Sequence, residues 1–338
     1  MATLKDVARK AGVSVATASR VLGGYGYASP RARSQVLRAA RLLDYTPNAV
    51  ARGMVKRRTH TVGVIVSDNA NPFFATVVRG IEDVVRAHGY AVILCNADEN
   101  PTKEDVYLRV LREKQVDGLL LAPSGSPTPH LRRWLRARLP LVLIDRRLRG
   151  VAADVAIVDN RDGARAAVHH LIALGHRRIG IISGPTQVFT GQERLAGYYE
   201  ALREHGIEPE ADLVRVGDFK PHSGHQLARE FVRMPRRPTA LFVANNLMTI
   251  GALTALKELG VAIPEEMAVV GFDDMEWASI LTPPLTAVAQ PAYMLGTSAA
   301  QLFIQRLEHP HRPPQEVVLK TRLVVRQSCG ASLRGRPS

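Results

Sequence analysis

Residues 3–22 read TLKDVARKAGVSVATASRVL. Thr3 followed three positions on by Asp6 has the spacing of a capping box, with an acid in place of the usual Glu. Leu4, Val7, Ala8 and Ala11 then share one face of a helix over 4–11. Gly12 supplies the permissive backbone of a tight turn. Ser14 caps a second helix over 15–22, which turns Ala18, Val21 and Leu22 inward. A helix, a glycine-containing turn and a helix make a helix-turn-helix unit, whose second helix is built to enter a DNA major groove.

Further along, Ser29-Pro30 opens a third helix running to about Leu43, with Val36, Leu37, Ala40 and Leu43 closing a small core. Charge agrees with this reading. Residues 1–58 carry 12 Lys and Arg against 2 acids, while the other 280 residues carry 33 basic and 29 acidic groups. A net +10 confined to one small segment is the footprint of a polyanion partner, because neutralised phosphates release condensed counterions. A disordered basic tail would give the same charge but not the apolar helical period.

Together with SPRARSQVLRAARLLDYTPNAVARGM (29–54), the opening run closely resembles the headpiece of the lactose/galactose repressor (LacI–GalR) family, and the resemblance continues over nearly the whole chain. It implies that Val15, Ala16 and Arg20 read base edges. Side-chain chemistry agrees in part: Arg20 can contact guanine bidentately, whereas Val15 and Ala16 offer only apolar contact, such as with a thymine methyl. Thr3, Ser14, Thr17, Ser19 and Tyr27 complete the expected headpiece contacts, Thr17 and Ser19 by bonding phosphates and fixing register. Ordinary helix packing is the competing role of Val15 and Ala16. The resemblance also implies a hinge helix over 47–55, with Asn48, Ala51, Arg52 and Met54 against DNA. So short a helix, weakened by Gly53, is expected to fold only on DNA and in a dimer. Met54 stands where the family has a Leu that wedges open a minor-groove step; methionine is apolar and flexible enough to act likewise. Gly23-Gly24 departs from the family's common Asn at the first position.

A chain of 338 residues exceeds one hydrophobic core, so several domains are expected. We assign 1–46 to the headpiece, 47–58 to hinge and linker, 59–327 to an effector-binding and dimerisation domain, and 328–338 to a flexible tail. Cys95 and Cys329 are far apart and in no metal-ligand spacing, which suits a reducing compartment. No apolar run is long enough to span a bilayer and no cleavable leader is visible, so a cytoplasmic, nucleoid-associated protein is expected.

From Thr59 onward, apolar runs alternate with amphipathic helices. Strands are expected at 61–67, 90–95, 118–122, 141–145, 155–158, 179–183, 240–243 and 268–272. Helices are expected at 73–88, 103–114, 163–174, 192–205, 223–233, 248–259 and 294–307. Such alternation means α/β architecture with parallel sheets. The resemblance implies a two-lobed, periplasmic-binding-protein-like domain: lobe one over 59–159 and 291–322, lobe two over 160–290 and 323–327. Its crossovers are expected near 159–161, 290–291 and 322–324.

Ligands of parallel sheets bind beyond the carboxyl ends of the strands. Those positions hold Asn71, Phe73, Phe74, Arg146, Thr190, Arg194, Asn245, Asn246 and Asp273. Aromatic faces with convergent donors and acceptors suit a polar metabolite. The resemblance makes Arg194 and Asp273 a ligand-clamping pair, lays Phe219 over the ligand, and suggests a sugar or sugar acid. Competing roles remain: Phe74 as core, Asp273 as a helix cap, Phe219 as packing between lobes. Asp274 is expected to be a solvated neighbour. Asn246 replaces an Asp common in relatives, and Val188 replaces the Arg of a purine-responsive relative.

The sequence lacks a GxGxxG after the first strand, a Walker A loop, an HExxH pair and a GxSxG elbow, so no enzyme activity, cofactor or metal is expected. His169, His170 and His176 read as structural or solvated. A stand-alone sugar-binding protein of the periplasmic type is the alternative; it predicts a leader and no basic headpiece. The expectation is a homodimeric regulator, in the manner of a repressor, holding double-stranded operator DNA under small-molecule control.

Overall fold

The computed structural model describes residues 2–45 and 58–331. The chain divides into two compact units, Met1–Thr61 with Gln115–Asp117, and Val62–Lys114 with Gly118–Ser338.

In the first unit, helices α1 (Leu4–Ala11), α2 (Val15–Gly23) and α3 (Pro30–Leu42) surround a core of Val7, Ala8, Ala11, Ala18, Val21, Val36, Ala39 and Ala40. The capping box is present: Thr3 N donates to Asp6 Oδ2 at 2.9 Å and Asp6 N to Thr3 Oγ1 at 3.3 Å. Gly12 closes α1 in the left-handed region at φ 64°. Leu37, expected inward, is exposed. Val36, Ala39 and Ala40 set the buried face at i, i+3 and i+4, which turns Leu37 about 100° away from it.

The second unit holds two six-stranded sheets. In chain order the strands are β1 (Thr61–Val66), β2 (Ala91–Asn96), β3 (Gly118–Leu121), β4 (Leu141–Ile144), β5 (Asp154–Val158), β6 (Ile179–Ser183), β7 (Val214–Val216), β8 (Ala240–Val243), β9 (Ala268–Phe272), β10 (Thr286–Ala289), β11 (Glu316–Leu319) and β12 (Arg322–Val324). The helices are α4 (Pro72–Ala87), α5 (Pro101–Glu113), α6 (Pro129–Arg136), α7 (Asn160–Ala173), α8 (Phe189–Glu204), α9 (Pro221–Arg233), α10 (Asn246–Glu258) and α11 (Ala292–Glu308). The lobe-one sheet runs β11-β5-β4-β3-β1-β2 and the lobe-two sheet β12-β10-β9-β8-β6-β7.

Central strands such as Leu-Val-Leu-Ile of β4 are buried along their whole length. That is what a parallel sheet covered by helices on both faces requires. Burying each such side chain contributes about 1.5–3 kcal/mol. In lobe one, α4 packs on α11; in lobe two, α7 packs on α8 and α9 on α10. The chain passes between sheets after β5, after β10 and between β11 and β12.

Several features differ from the sequence reading. The third crossing lies at Lys320-Thr321, within a few residues of the expected place, but residues 322–324 themselves form a strand the sequence reading lacks, β12, antiparallel to β10. β7, β11 and β12 are short and half-exposed, so they lack the apolar run that marks the inner strands. The expected tail is in part packed structure. Ser328 and Cys329 are buried, Ser328 Oγ donating to Val269 O at 2.6 Å and accepting from Thr286 N at 2.8 Å. Asp274 is no solvated neighbour: its carboxylate takes the Arg326 guanidinium at 2.6 and 3.0 Å, fastening this last segment to lobe two.

Candidate functional site

On α2 the N-cap Ser14 accepts from Thr17 N at 3.1 Å, and the two hydroxyls lie 2.9 Å apart. Val15, Ala16 and Arg20 face outward, Val15 with 43% of its surface exposed despite its apolar side chain. Three outward residues at the first turn and last turn of one helix form a face that packing within the unit does not use. Tyr27 is 85% exposed beyond the helix end. Ser19 is differently placed: its hydroxyl lies 2.6 Å from Tyr25 OH. Gly23 makes this possible, because a Cβ there would collide with the Tyr25 ring. Thr3 spends its hydroxyl on the capping box. Asn48, Ala51, Arg52 and Met54 lie outside the described residues.

Between the lobes is a narrow cavity of about 20 Å³. Lobe one lines it with Asp68, Asn71, Phe73, Phe74, Glu99, Asp145 and Arg146, each following a strand carboxyl end. Lobe two contributes Thr190, Arg194, Phe219, Asn245, Leu247, Asp273 and Gln290. In each sheet the strand order reverses at the first strand of the lobe, β1 and β6, which opens a crevice there.

Asn71 caps α4 with Oδ1, accepting from Phe73 N at 3.0 Å. This places the Phe73 and Phe74 rings edge to face, centroids 5.1 Å apart. Asn245 caps α10, accepting from Met248 N at 2.9 Å, and donates from Nδ2 to Phe219 O at 3.2 Å. Phe219 adopts φ 67°, held by this bond and by Gly184, where any Cβ would occupy the space of its ring. Arg146 lies over that ring, 5.5 Å from its centroid. Asn246 is buried beside the cavity and donates to Asn71.

Two buried guanidinium groups dominate the electrostatics. Arg194 donates from Nε to Asn160 Oδ1 at 2.8 Å and from Nη1 to Ala244 O at 2.7 Å, stacked 3.7 Å from the Phe272 centroid. Burial lowers its pKa, opposed by the Asp273 and Asp145 carboxylates. Burial also opposes the charge on Arg146, but Glu99, paired at 2.6 and 2.7 Å, carries its pKa upward. Burial pushes Asp145 up to about 6 against the attraction of Arg146 and Arg194. Asp273 accepts from Asn246 N at 3.2 Å and from Gln290 Nε2. Among the described residues, Asp145 Oδ1, Arg146 Nε and Gln290 Oε1 are buried without a hydrogen-bond partner. Such atoms cost about 1–3 kcal/mol each unless something completes them.

The structure therefore brings nine of the ten expected effector residues to the cavity lining and sets Asn246 behind them. Sequence reasoning missed Asp68, Glu99, Asp145, Leu247 and Gln290. Asp145, immediately before Arg146 at a strand end, carried the same positional signal. Gln290 did not, because β10 was not recognised. The histidines have protein partners: His169 bonds Glu204 at 2.6 Å, His170 approaches Cys329 Sγ at 3.2 Å, and His176 bonds Thr239 at 2.9 Å.

Comparison with known proteins adds independent findings. Residues 3–48 match the family described as bacterial regulatory proteins, lacI family, and residues 168–329 match a periplasmic binding protein-like domain. The HTH-type transcriptional repressor PurR of Edwardsiella ictaluri is 36% identical over 330 residues, covering 97% of each chain. That of Proteus mirabilis is 37% identical over 331 residues, again 97% of each. Among solved structures, a complex of the transcriptional regulator CelR with cellobiose is 37% identical with a TM-score of 0.74, covering 97% of this chain and 100% of its own. The lac repressor dimer bound to operator and the anti-inducer ONPF is 29% identical with a TM-score of 0.85, covering 97% of this chain and 99% of its own.

Proposed function

The chain belongs to the lacI family of bacterial regulatory proteins, DNA-binding transcription regulators with an effector domain, and from that premise we propose that it is a repressor controlled by an uncharged sugar. Two copies would present α2 to the half-sites of a near-palindromic operator, with centres about one helical turn apart. Operator DNA places such a protein in the cytoplasm with the nucleoid; among the described residues no helix is long and apolar enough to cross a membrane.

One observation carries the choice of effector: four carboxylates, Asp68, Glu99, Asp145 and Asp273, line the cavity against two guanidinium groups. An anionic ligand would enter a site already rich in negative charge, whereas hydroxyls can donate to the unpartnered Asp145 and Gln290 oxygens. This favours a neutral sugar over a sugar acid. The CelR relative was solved with cellobiose, and another relative, from Enterococcus faecium, with ribose. The PurR relatives are named as repressors too, but Val188, buried and apolar, offers no hydrogen bond to a purine. Effector binding would alter the angle between lobes, and DNA affinity would follow by linkage.

The test is selection of DNA from a random pool at fixed salt, followed by titration of the selected operator with neutral sugars, uronic acids and purines. Enrichment of an inverted repeat whose affinity responds to a neutral sugar supports the reading. Recovery of no sequence defeats the DNA assignment, and a response to an acid or a purine defeats the effector assignment.

A further inference from the structure

Lys220 does not line the cavity, yet it reaches across the cleft. It follows Phe219 at the N-cap of α9 in lobe two, and its Nζ lies 2.5 Å from Asp68 Oδ2 and 2.7 Å from Asp98 Oδ1, both in lobe one. Its backbone is held in place: Lys220 N donates to Asp218 Oδ1 at 2.9 Å, and Ser223 Oγ donates to Lys220 O at 3.0 Å. We propose that Lys220 is a positioning residue that clasps the two lobes at the mouth of the cleft, holding Asp68 in the cavity wall and biasing the lobes toward closure.

The chemistry of the two acids supports this. Asp68 is buried, and its other carboxylate oxygen takes the backbone N–H of Ala70 at 3.0 Å. Asp98 stands at φ 57° just beyond β2 and has a second, longer contact with Lys103 at 3.4 Å. Two carboxylates that converge on one ammonium repel each other when it leaves. Opening the lobes therefore separates the cation from both acids at once. Lys220 loses some hydration by its half-burial, but the paired carboxylates more than restore the charged form, and Asp98 is held below the usual carboxylate range. Three further contacts between the lobes, Asn246 with Asn71, Arg146 over Phe219 and Arg147 over Phe189, are not ion pairs. Salt should weaken the clasp selectively, because one end of it is open to solvent.

The clasp rests on the two-lobed fold, and its test contains neither effector nor DNA, so its failure leaves the repressor reading untouched. Hydrogen exchange of the full chain is followed at the cleft amides of residues 69–74 and 244–248, in low and high salt, for the parent, K220M, K220R and D98N. The expected result is exchange about threefold to tenfold faster in K220M at low salt, from the loss of a partly buried ion pair. High salt should bring the parent toward K220M while leaving K220M unchanged, K220R should recover the slow rate, and D98N should fall between. Equal rates in K220M and the parent would overturn the clasp. So would acceleration spread evenly over the molecule, or a salt response that survives in K220M, because a merely structural lysine produces those patterns.

Discussion

Asn246 Nδ2 donates to Asn71 Oδ1 at 2.9 Å, tying the first residue of α10 in lobe two to the cap of α4 in lobe one. Both amides are oriented by backbone bonds. Asn71 Oδ1 already accepts from Phe73 N, so it faces Asn246 as an acceptor, and Asn246 Oδ1 accepts from Leu247 N at 2.8 Å, which turns its NH₂ toward Asn71. The aspartate common at this position in relatives has no donor to offer when ionised. Asn246→Asp should therefore remove the bridge and set a second carboxylate beside Asp273, which accepts from Asn246 N. Urea unfolding is expected to show a loss of about 1–3 kcal/mol at pH 7. Acid should recover part of it, since a protonated carboxyl can donate to Asn71. A variant as stable as the parent at pH 7 would remove the bridge from the account.

Arg20 makes a prediction of a different kind. Its side chain is exposed on the outward face of α2 with Val15 and Ala16, so nothing in the headpiece core depends on it. Arg20→Ala should leave the melting temperature unchanged while costing about 1–3 kcal/mol of discrimination against non-operator DNA. The check is a competition titration at fixed salt, with effector affinity measured in parallel. Equal discrimination by variant and parent would take Arg20 out of base reading.

The headpiece was legible because its helices announce themselves locally, through the Thr3 and Ser14 caps, Gly12 and an apolar period. Leu37 escaped because Ala39 is too small to mark the true phase of α3. In the two lobes the inner strands were visible as continuous apolar runs, whereas β7, β11 and β12 are short, half-exposed and defined by their sheet partners. Most cavity residues followed from a single rule, that ligands bind beyond strand carboxyl ends. Asp68 and Glu99 also lie beyond strand carboxyl ends, but an acid in a loop reads as solvated until a distant partner is known: Lys220 for the one and Arg146 for the other. Pairings separated by 152 and 47 residues leave no local trace.

Arg194 combines support of the lobe with a place in the cavity, and the two roles can be separated. Its Nε and Nη1 satisfy Asn160 and Ala244, and its plane stacks on Phe272. Arg194→Ala leaves those acceptors unpaired in a buried site, so a stability loss of about 2–5 kcal/mol is expected. Arg194→Met keeps much of the packing on Phe272 but no donor. Both variants should retain operator binding and lose the response to the effector, the alanine form with the larger fall in melting temperature. A full effector response from the methionine variant would show that packing alone is needed.

Asp145 carries the pH prediction. Its carboxyl is buried, with Oδ1 unpartnered and Oδ2 3.4 Å from Arg146 Nε, and burial raises its pKa to about 6. An unfolded aspartate titrates near 3.9. Between those values the native state holds a proton that the unfolded state has lost, so stability falls as pH rises, by a few kcal/mol once pH passes 6. The surrounding Arg146, Arg194, Asp273 and Glu99 charges are common to parent and variant. Asp145→Asn is therefore expected to match the parent near pH 4 and to exceed it in stability at pH 7, the gap opening through the interval between the two values. Effector affinity should move the other way, since a hydroxyl donates best to the ionised carboxylate, and the parent should gain affinity as pH rises through 6 while Asp145→Asn does not. Denaturant curves at several pH values read the first effect, and calorimetric titration with whichever neutral sugar shifts operator affinity reads the second. A stability gap that is constant from pH 4 to 7 would place the titrating proton elsewhere.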